Sequence, residues 1–272
     1  DYFSGDYNTT NPSATANCGG TPLAIGQACQ TERTDRIWSY RTGLIYQPTL
    51  KQSYYVSYGT SFNPSGEAYA LDPRGSNTPP EKNRNIEAGA KFDLLDGDLS
   101  IRTAIFRTEK TNERNTDPLV ADVYLLSGKR HTDGVELELA GRITPKWQAF
   151  VGLIYMDSNI DEAAGTSSSN KDKYAPNTPH YTASLWSTYQ ITEQVKAGLG
   201  FESKAKRFTN GQTNTLPSYT RCDAMVEWNY KQISLQMNAD NLLNEKYYEG
   251  LYSGHVVPGA GRSLRLTGKW RF

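Results

Sequence analysis

The sequence predicts an all-β chain, an antiparallel transmembrane β-barrel with about 12 strands spread over residues 1–272. Three observations carry that reading. Apolar and polar residues alternate with a period of two from end to end, the mark of strands with one apolar face. Short and long connections alternate strictly along the chain, as in an up-and-down barrel with small turns at one rim and large loops at the other. Aromatic residues gather beside the short turns and again toward the long loops, which fits two girdles bracketing an apolar belt.

Composition narrows the alternatives. The chain is 37% hydrophobic with a mean hydropathy of -0.66. No stretch approaches the roughly 18 consecutive apolar residues of a membrane-spanning helix. A barrel strand shows lipid only every second residue, so low mean hydropathy leaves a barrel open. The 29 basic and 29 acidic residues cancel, which argues against a nucleic-acid footprint of clustered positive charge. Eighteen tyrosines, five tryptophans and 23 glycines suit strands joined by many turns. No signal peptide opens the chain at Asp1, so processing or truncation is expected to have removed what preceded it.

The elements follow in order. Residues 5–32 form a long polar stretch holding Cys18 and Cys29. In an oxidising compartment these two cysteines can close a small loop worth roughly 2–3 kcal/mol; two unrelated thiols are the alternative. Trp38, Tyr40, Thr42, Leu44 and Tyr46 then alternate with Ser39, Arg41 and Gly43, ahead of a turn at Pro48-Thr49-Leu50. Beyond the polar stretch 64–81, Ile86, Ala88, Ala90 and Phe92 oppose Glu87, Gly89, Lys91 and Asp93. Asp96-Gly97 is a hairpin signal, because glycine accepts the positive φ of a tight turn. After a shorter connection near 113–119, Val135, Leu137 and Leu139 interleave with Glu136 and Glu138.

The second half repeats the pattern. Thr144-Pro145-Lys146 turns the chain into Trp147, Ala149, Val151, Leu153 and Tyr155. The loop 158–178 leads to Tyr181, Ala183, Leu185 and Tyr189, and Thr192-Glu193 turns back into Val195, Ala197, Leu199 and Phe201. Residues 209–215 precede Cys222, Ala224, Val226 and Trp228, where Cys222 is expected to be an inert small hydrophobe. Tyr230-Lys231 turns into Ile233, Leu235, Met237 and Ala239. The stretch 246–258 returns to a last strand of Leu264, Leu266, Gly268, Trp270 and Phe272. Trp147 and Tyr155 lie eight residues apart, a span of roughly 20 Å along a tilted strand and close to the height of a barrel's belt. A soluble sandwich gives the same alternation but has no reason to sort its connections by length. A propeller needs four strands per repeat where two are present.

Three stretches resemble the TonB-dependent ferric-siderophore receptors. The first runs through Pro79-Pro80-Glu81-Lys82 and Asn85-Ile86-Glu87-Ala88-Gly89 to Ala104-Ile105-Phe106-Arg107 and Gly134-Val135-Glu136-Leu137-Glu138. The second is Asn238-Ala239-Asp240-Asn241-Leu242-Leu243-Asn244-Glu245-Lys246-Tyr247-Tyr248, and the third is Pro258-Gly259-Ala260-Gly261-Arg262 before a final strand ending on Phe272. The catecholate receptors are the nearest likeness. The resemblance implies the C-terminal half of a 22-stranded barrel in the outer membrane of a Gram-negative cell. The family's N-terminal plug and TonB-binding segment are not in this sequence.

That resemblance implies binding of a ferric siderophore at the outer loops and import with energy from the TonB complex, which would act through the missing N-terminal part. Outer-membrane lipid is the other implied partner. A passive channel or a partner-binding barrel is the alternative. Ferric catecholates are anionic and aromatic, so loop cations and aromatic rings suit them. By loop position and residue type the candidate contacts are Tyr69, Arg74, Arg130, His131, Tyr174, Tyr252 and His255. Iron would stay within the siderophore, with no cofactor and no metal ligands from the protein. No catalytic motif is present: His131, His180 and His255 lack ligand spacing, and the paired Glu136 and Glu138 are better explained as lumenal charge.

Overall fold

The computed structural model describes residues 2–10, 17–18, 21–22, 24–63, 80–116, 124–163, 170–208, 214–252 and 255–271; toward some loop ends only the backbone is described. Its centre is one antiparallel sheet of eleven strands, each hydrogen-bonded to its neighbour in sequence. They are β1 (Arg41–Thr49), β2 (Gln52–Asn63), β3 (Glu81–Leu94), β4 (Leu99–Thr116) and β5 (Tyr124–Thr144). Then come β6 (Trp147–Glu162), β7 (Tyr181–Gln190), β8 (Val195–Lys204), β9 (Tyr219–Tyr230), β10 (Ile233–Asp240) and β11 (Ser263–Trp270).

The parity expected from sequence is present. At one rim the strands are joined through Leu50–Lys51, a 3-10 turn at Leu95–Gly97, Pro145–Lys146, residues 191–194 and Lys231–Gln232. Every connection at the opposite rim is longer. In the Leu95–Gly97 turn, Leu95, Asp96 and Gly97 all take positive φ (51°, 56° and 94°), so the glycine signal marks its last residue.

Two elements differ from the sequence reading. β4 and β5 have 18 and 21 residues, about twice what a tilted membrane-spanning strand needs. The two strands therefore form a ribbon that continues past the apolar belt, described as far as the pair Thr116–Tyr124. Its upper part was hidden because Glu109 to Arg114 carries no apolar alternation. Backbone pairing persists there, accompanied by ion pairs from Lys110 to Glu81 (2.7 Å) and from Arg130 to Glu113 (3.3 Å). The polar stretch 5–32 also contains structure: Tyr2–Thr10 pairs with Ala28–Arg36 over nine residue pairs. Cys18 and Cys29 lie on described backbone, opposite Thr21 and Thr9, but their side chains are outside the described residues.

Register sorts the side chains onto two faces. One row runs Leu44–Val56–Ala88–Ile105–Val135–Tyr155–Tyr181 across seven strands. Its members include Leu44 at 75% and Ile105 at 63% exposure, and on the last strand Leu264 and Leu266 reach 70% and 71%. So large an exposed apolar face is too costly for water and suits a lipid surround. The opposite face carries the row Ser53–Lys91–Arg102–Glu138–Gly152–Ser184–Glu202–Arg221. Among the described residues, β1 and β11 are paired on one side only. In hydrocarbon an unpaired edge costs several kcal/mol per unsatisfied group, so both edges call for further strands.

Candidate functional site in the wall and loops of the barrel

The polar face forms a trough of about 710 Å³ lined by Tyr55, Lys91, Arg102, Glu136 and Glu138, among others. Charges of both signs alternate across it. Arg102 lies 3.8 Å from Glu138 and Lys196 3.2 Å from Glu227, while Tyr55 donates a 2.5 Å hydrogen bond to Glu87. Glu136 and Glu138 face this trough, as expected.

Aromatic rings on this face lie flat on the wall. Phe106 pairs with Gly134 and Trp186 with Gly200 across neighbouring strands. A Cβ on Gly134 would sit 2.3 Å from Phe106, and one on Gly200 2.3 Å from Trp186. The missing side chain is what lets each ring lie down and leave the interior open.

Toward the long-loop rim the trough ends in a dense polar cluster. Tyr219 donates to Glu202 (2.6 Å); Arg221 reaches Glu202 (3.3 Å) and Asp223 (3.1 Å) and donates to the Tyr247 hydroxyl (3.0 Å). Just beyond β10, Asn241 takes a positive φ of 52°. Its backbone N–H donates to Asp223, its Nδ2 donates to the carbonyls of Glu245 and Ala260, and its Oδ1 accepts from the N–H of Glu245. The Asn241 amide thus caps the backbone of the connection that leaves β10. Arg207, 4% exposed, ties loops together. It donates to the carbonyls of Tyr248 and Glu249 and to Asn177 Oδ1. Sequence reading missed Arg207, Tyr219 and Arg221, because nothing in one strand shows which loop its arginine will meet.

The candidate contacts are scattered. Arg130 and His131 lie on opposite faces of β5, Arg130 beside Glu113 and His131 with Nδ1 2.6 Å from Asp161. His131 is therefore on the lipid-facing side, above the belt. Tyr174 extends the pairing of β6 upward through a bridge to Asn159, and its hydroxyl donates to the Met156 carbonyl (2.9 Å). Its ring packs at a tilt against His180, 4.1 Å between centroids. Tyr252 and His255 pair across the ribbon Tyr248–Tyr252/His255–Pro258, the only two candidates that the described backbone brings opposite each other. Tyr69 and Arg74 fall outside the described residues. Among the described residues, no group of three or more His, Cys, Asp or Glu side chains is placed to hold a metal ion.

Residues 1–242 match the family model described as TonB dependent receptor-like, beta-barrel. The chain belongs to the TonB-dependent receptor family. Its wall is thus a stretch of an outer-membrane β-barrel. A probable TonB-dependent siderophore receptor, PiuA of Acinetobacter baumannii, is 34% identical over 253 residues, covering 86% of this chain and 34% of that protein. The catecholate siderophore receptor Fiu of Escherichia coli K12 is 28% identical over 298 residues, covering 98% of this chain and 38% of Fiu. The crystal structure of PiuA superposes with a TM-score of 0.82 at 31% identity, over 91% of this chain and 37% of PiuA. The chain thus spans little more than a third of the length of these TonB-dependent receptors.

Proposed function

We propose that the receptor to which this wall belongs binds a ferric siderophore at its long-loop rim and imports it with energy from the TonB complex. The observation that carries this reading is the family match over residues 1–242 together with relatives named as siderophore receptors. Geometry supports it: a polar trough leads to a rim where Arg221, Tyr247 and Arg207 meet the outer loops. Cations and tyrosines at a rim suit an anionic, aromatic iron complex of the catecholate class. Iron remains inside its chelator, and the protein supplies binding without ligating the metal. Arg130 and the Tyr252–His255 ribbon tip are the candidate contacts best placed to meet a ligand entering from outside.

The test is uptake of radiolabelled iron, presented as a catecholate complex, by cells carrying the full-length receptor as their sole catecholate route. Uptake that stops when a protonophore collapses the proton-motive force supports the proposal. Passage that continues without energy favours the passive channel and overturns it.

A further inference from the structure

The lipid-facing side of the sheet does not stay apolar up to the loops. Directly above the outward row of Tyr58 and Ile86, the next two outward positions across β2 to β5 are Thr60–Arg84–Glu109–His131 and Phe62–Lys82–Thr111–Lys129. Of these, Thr60, Arg84, Glu109, Lys82, Thr111 and Lys129 line a groove of about 440 Å³. Its side wall is the segment entering β1, with Trp38 91% exposed and Tyr40 58% exposed. Tyr40 is pinned to the groove by paired backbone and side-chain bonds to Thr60 and lies 6.0 Å from the Tyr58 ring.

Charge in the groove is unbalanced. Among the described residues that line it, Lys82, Arg84 and Lys129 are basic and Glu109 is the only carboxylate. Glu109 is already shared by Arg84 and Arg107, and Arg107 also reaches Asp133 at 3.3 Å. Lys82 and Lys129 have no ion-pair partner among the described residues. Glu109, Arg84, Arg107 and Asp133 form a charge-balanced floor, so the excess positive charge of the groove comes from Lys82 and Lys129. Below it the exposed side chains of Val56, Ile86 and Ile105 continue as apolar wall.

The geometry points to a binding site for the phosphorylated headgroup of an anionic membrane lipid, seated in this outward groove. The two lysines and Arg84 meet phosphate oxygens, Trp38 and Tyr40 lie at the interfacial level that such rings favour, and the acyl chains run down Val56, Ile86 and Ile105. Height decides for lipid: the groove opens on the outside of the wall, at the edge of the apolar belt, where headgroups are. Ammonium and guanidinium groups hold phosphate by charge and by forked hydrogen bonds. The site is independent of siderophore import, since it lies on the opposite face from the trough.

The test uses the full-length receptor in nanodiscs of phosphatidylcholine with or without lipid A, a doubly phosphorylated glycolipid, with retained lipid read by native mass spectrometry. Wild-type receptor should retain lipid A, and the double variant Lys82→Ala/Lys129→Ala should bind it about tenfold more weakly. Lys82→Arg/Lys129→Arg should restore retention. A matched pair on the trough face, Lys91→Ala/Lys196→Ala, should leave retention unchanged, and the thermal midpoint of each variant reports folding. Equal retention by wild type and the groove variant overturns the site. So does equal retention of dephosphorylated lipid, or displacement of lipid A by inorganic phosphate at matched concentration.

Discussion

Arg207 donates from Nη2 to the main-chain carbonyl of Tyr248 at 2.7 Å. The two residues lie on different long connections, one joining β8 to β9 and the other β10 to β11. With its bonds to Glu249 and Asn177, this side chain crosslinks three outer loops from a position 4% exposed.

Removing that crosslink should loosen loops and spare the wall. Arg207→Ala loses three charge-assisted bonds, each worth about 1.5–3 kcal/mol when buried. Hydrogen exchange should quicken at Tyr248–Tyr252 while the amides of β8 and β9 keep their protection. Arg207→Lys should fall between the two, because an ammonium cannot reproduce the planar fork.

The flattened rings give a second expectation. Gly200→Ala forces Trp186 off the wall, and Gly134→Ala does the same to Phe106. Each overpacking should cost about 1–3 kcal/mol, seen as a lower midpoint in denaturant. Pairing Gly200→Ala with Trp186→Ala should recover part of the loss, because the clash disappears with the ring.

Asn241 is 1% exposed and uses its side chain in three bonds. Asn241→Ala leaves the N–H of Glu245 and two carbonyls unpaired and places a residue with no local side-chain support at positive φ. A cost of about 2–4 kcal/mol follows from unsatisfied groups and backbone strain together. Asn241→Gly should be milder, since it relieves the backbone but not the bonds. Both are read by protease sensitivity of the 240–263 connection.

Tyr174 has its phenol pushed up to about 12 by burial. A raised value favours the protonated ring. Its contribution to loop stability is therefore whole below the ordinary tyrosine range near pH 10 and is lost as pH rises through about 12. Ultraviolet difference titration of wild type against Tyr174→Phe should show one late-ionising phenol, with the loop 162–181 becoming protease-sensitive over the same window. An ionisation near pH 10 would count against the burial.

Much of the wall was legible because a period-two code needs no tertiary partner to be seen. Leu137 and Glu138, adjacent in sequence, had to face opposite ways whatever surrounded them. The Asp96-Gly97 turn was legible for a similar reason, as local backbone geometry selects its residues. The ribbon above the belt was not, because past Glu109 both faces are polar and the alternation vanishes while the pairing continues. His131 shows the same limit: loop position and residue type singled it out, and only register places it on the outward side. Arg207 had no sequence signal, since its partners, Asn177 and the carbonyls of Tyr248 and Glu249, lie 30 to 42 residues away.

The sorting of turns by rim sets where this protein can change. An insertion of any length in a long connection alters the loop and leaves every pairing below it in step. One extra residue between Thr144 and Trp147 would instead slide all downstream strands by half a repeat. The side chains of Lys196 and Arg221 would then point into oil, and Leu199 and Val226 into the channel. Diversity is thus confined to the end of the barrel that meets the environment, and the opposite end acts as the fixed ruler from which every strand is measured.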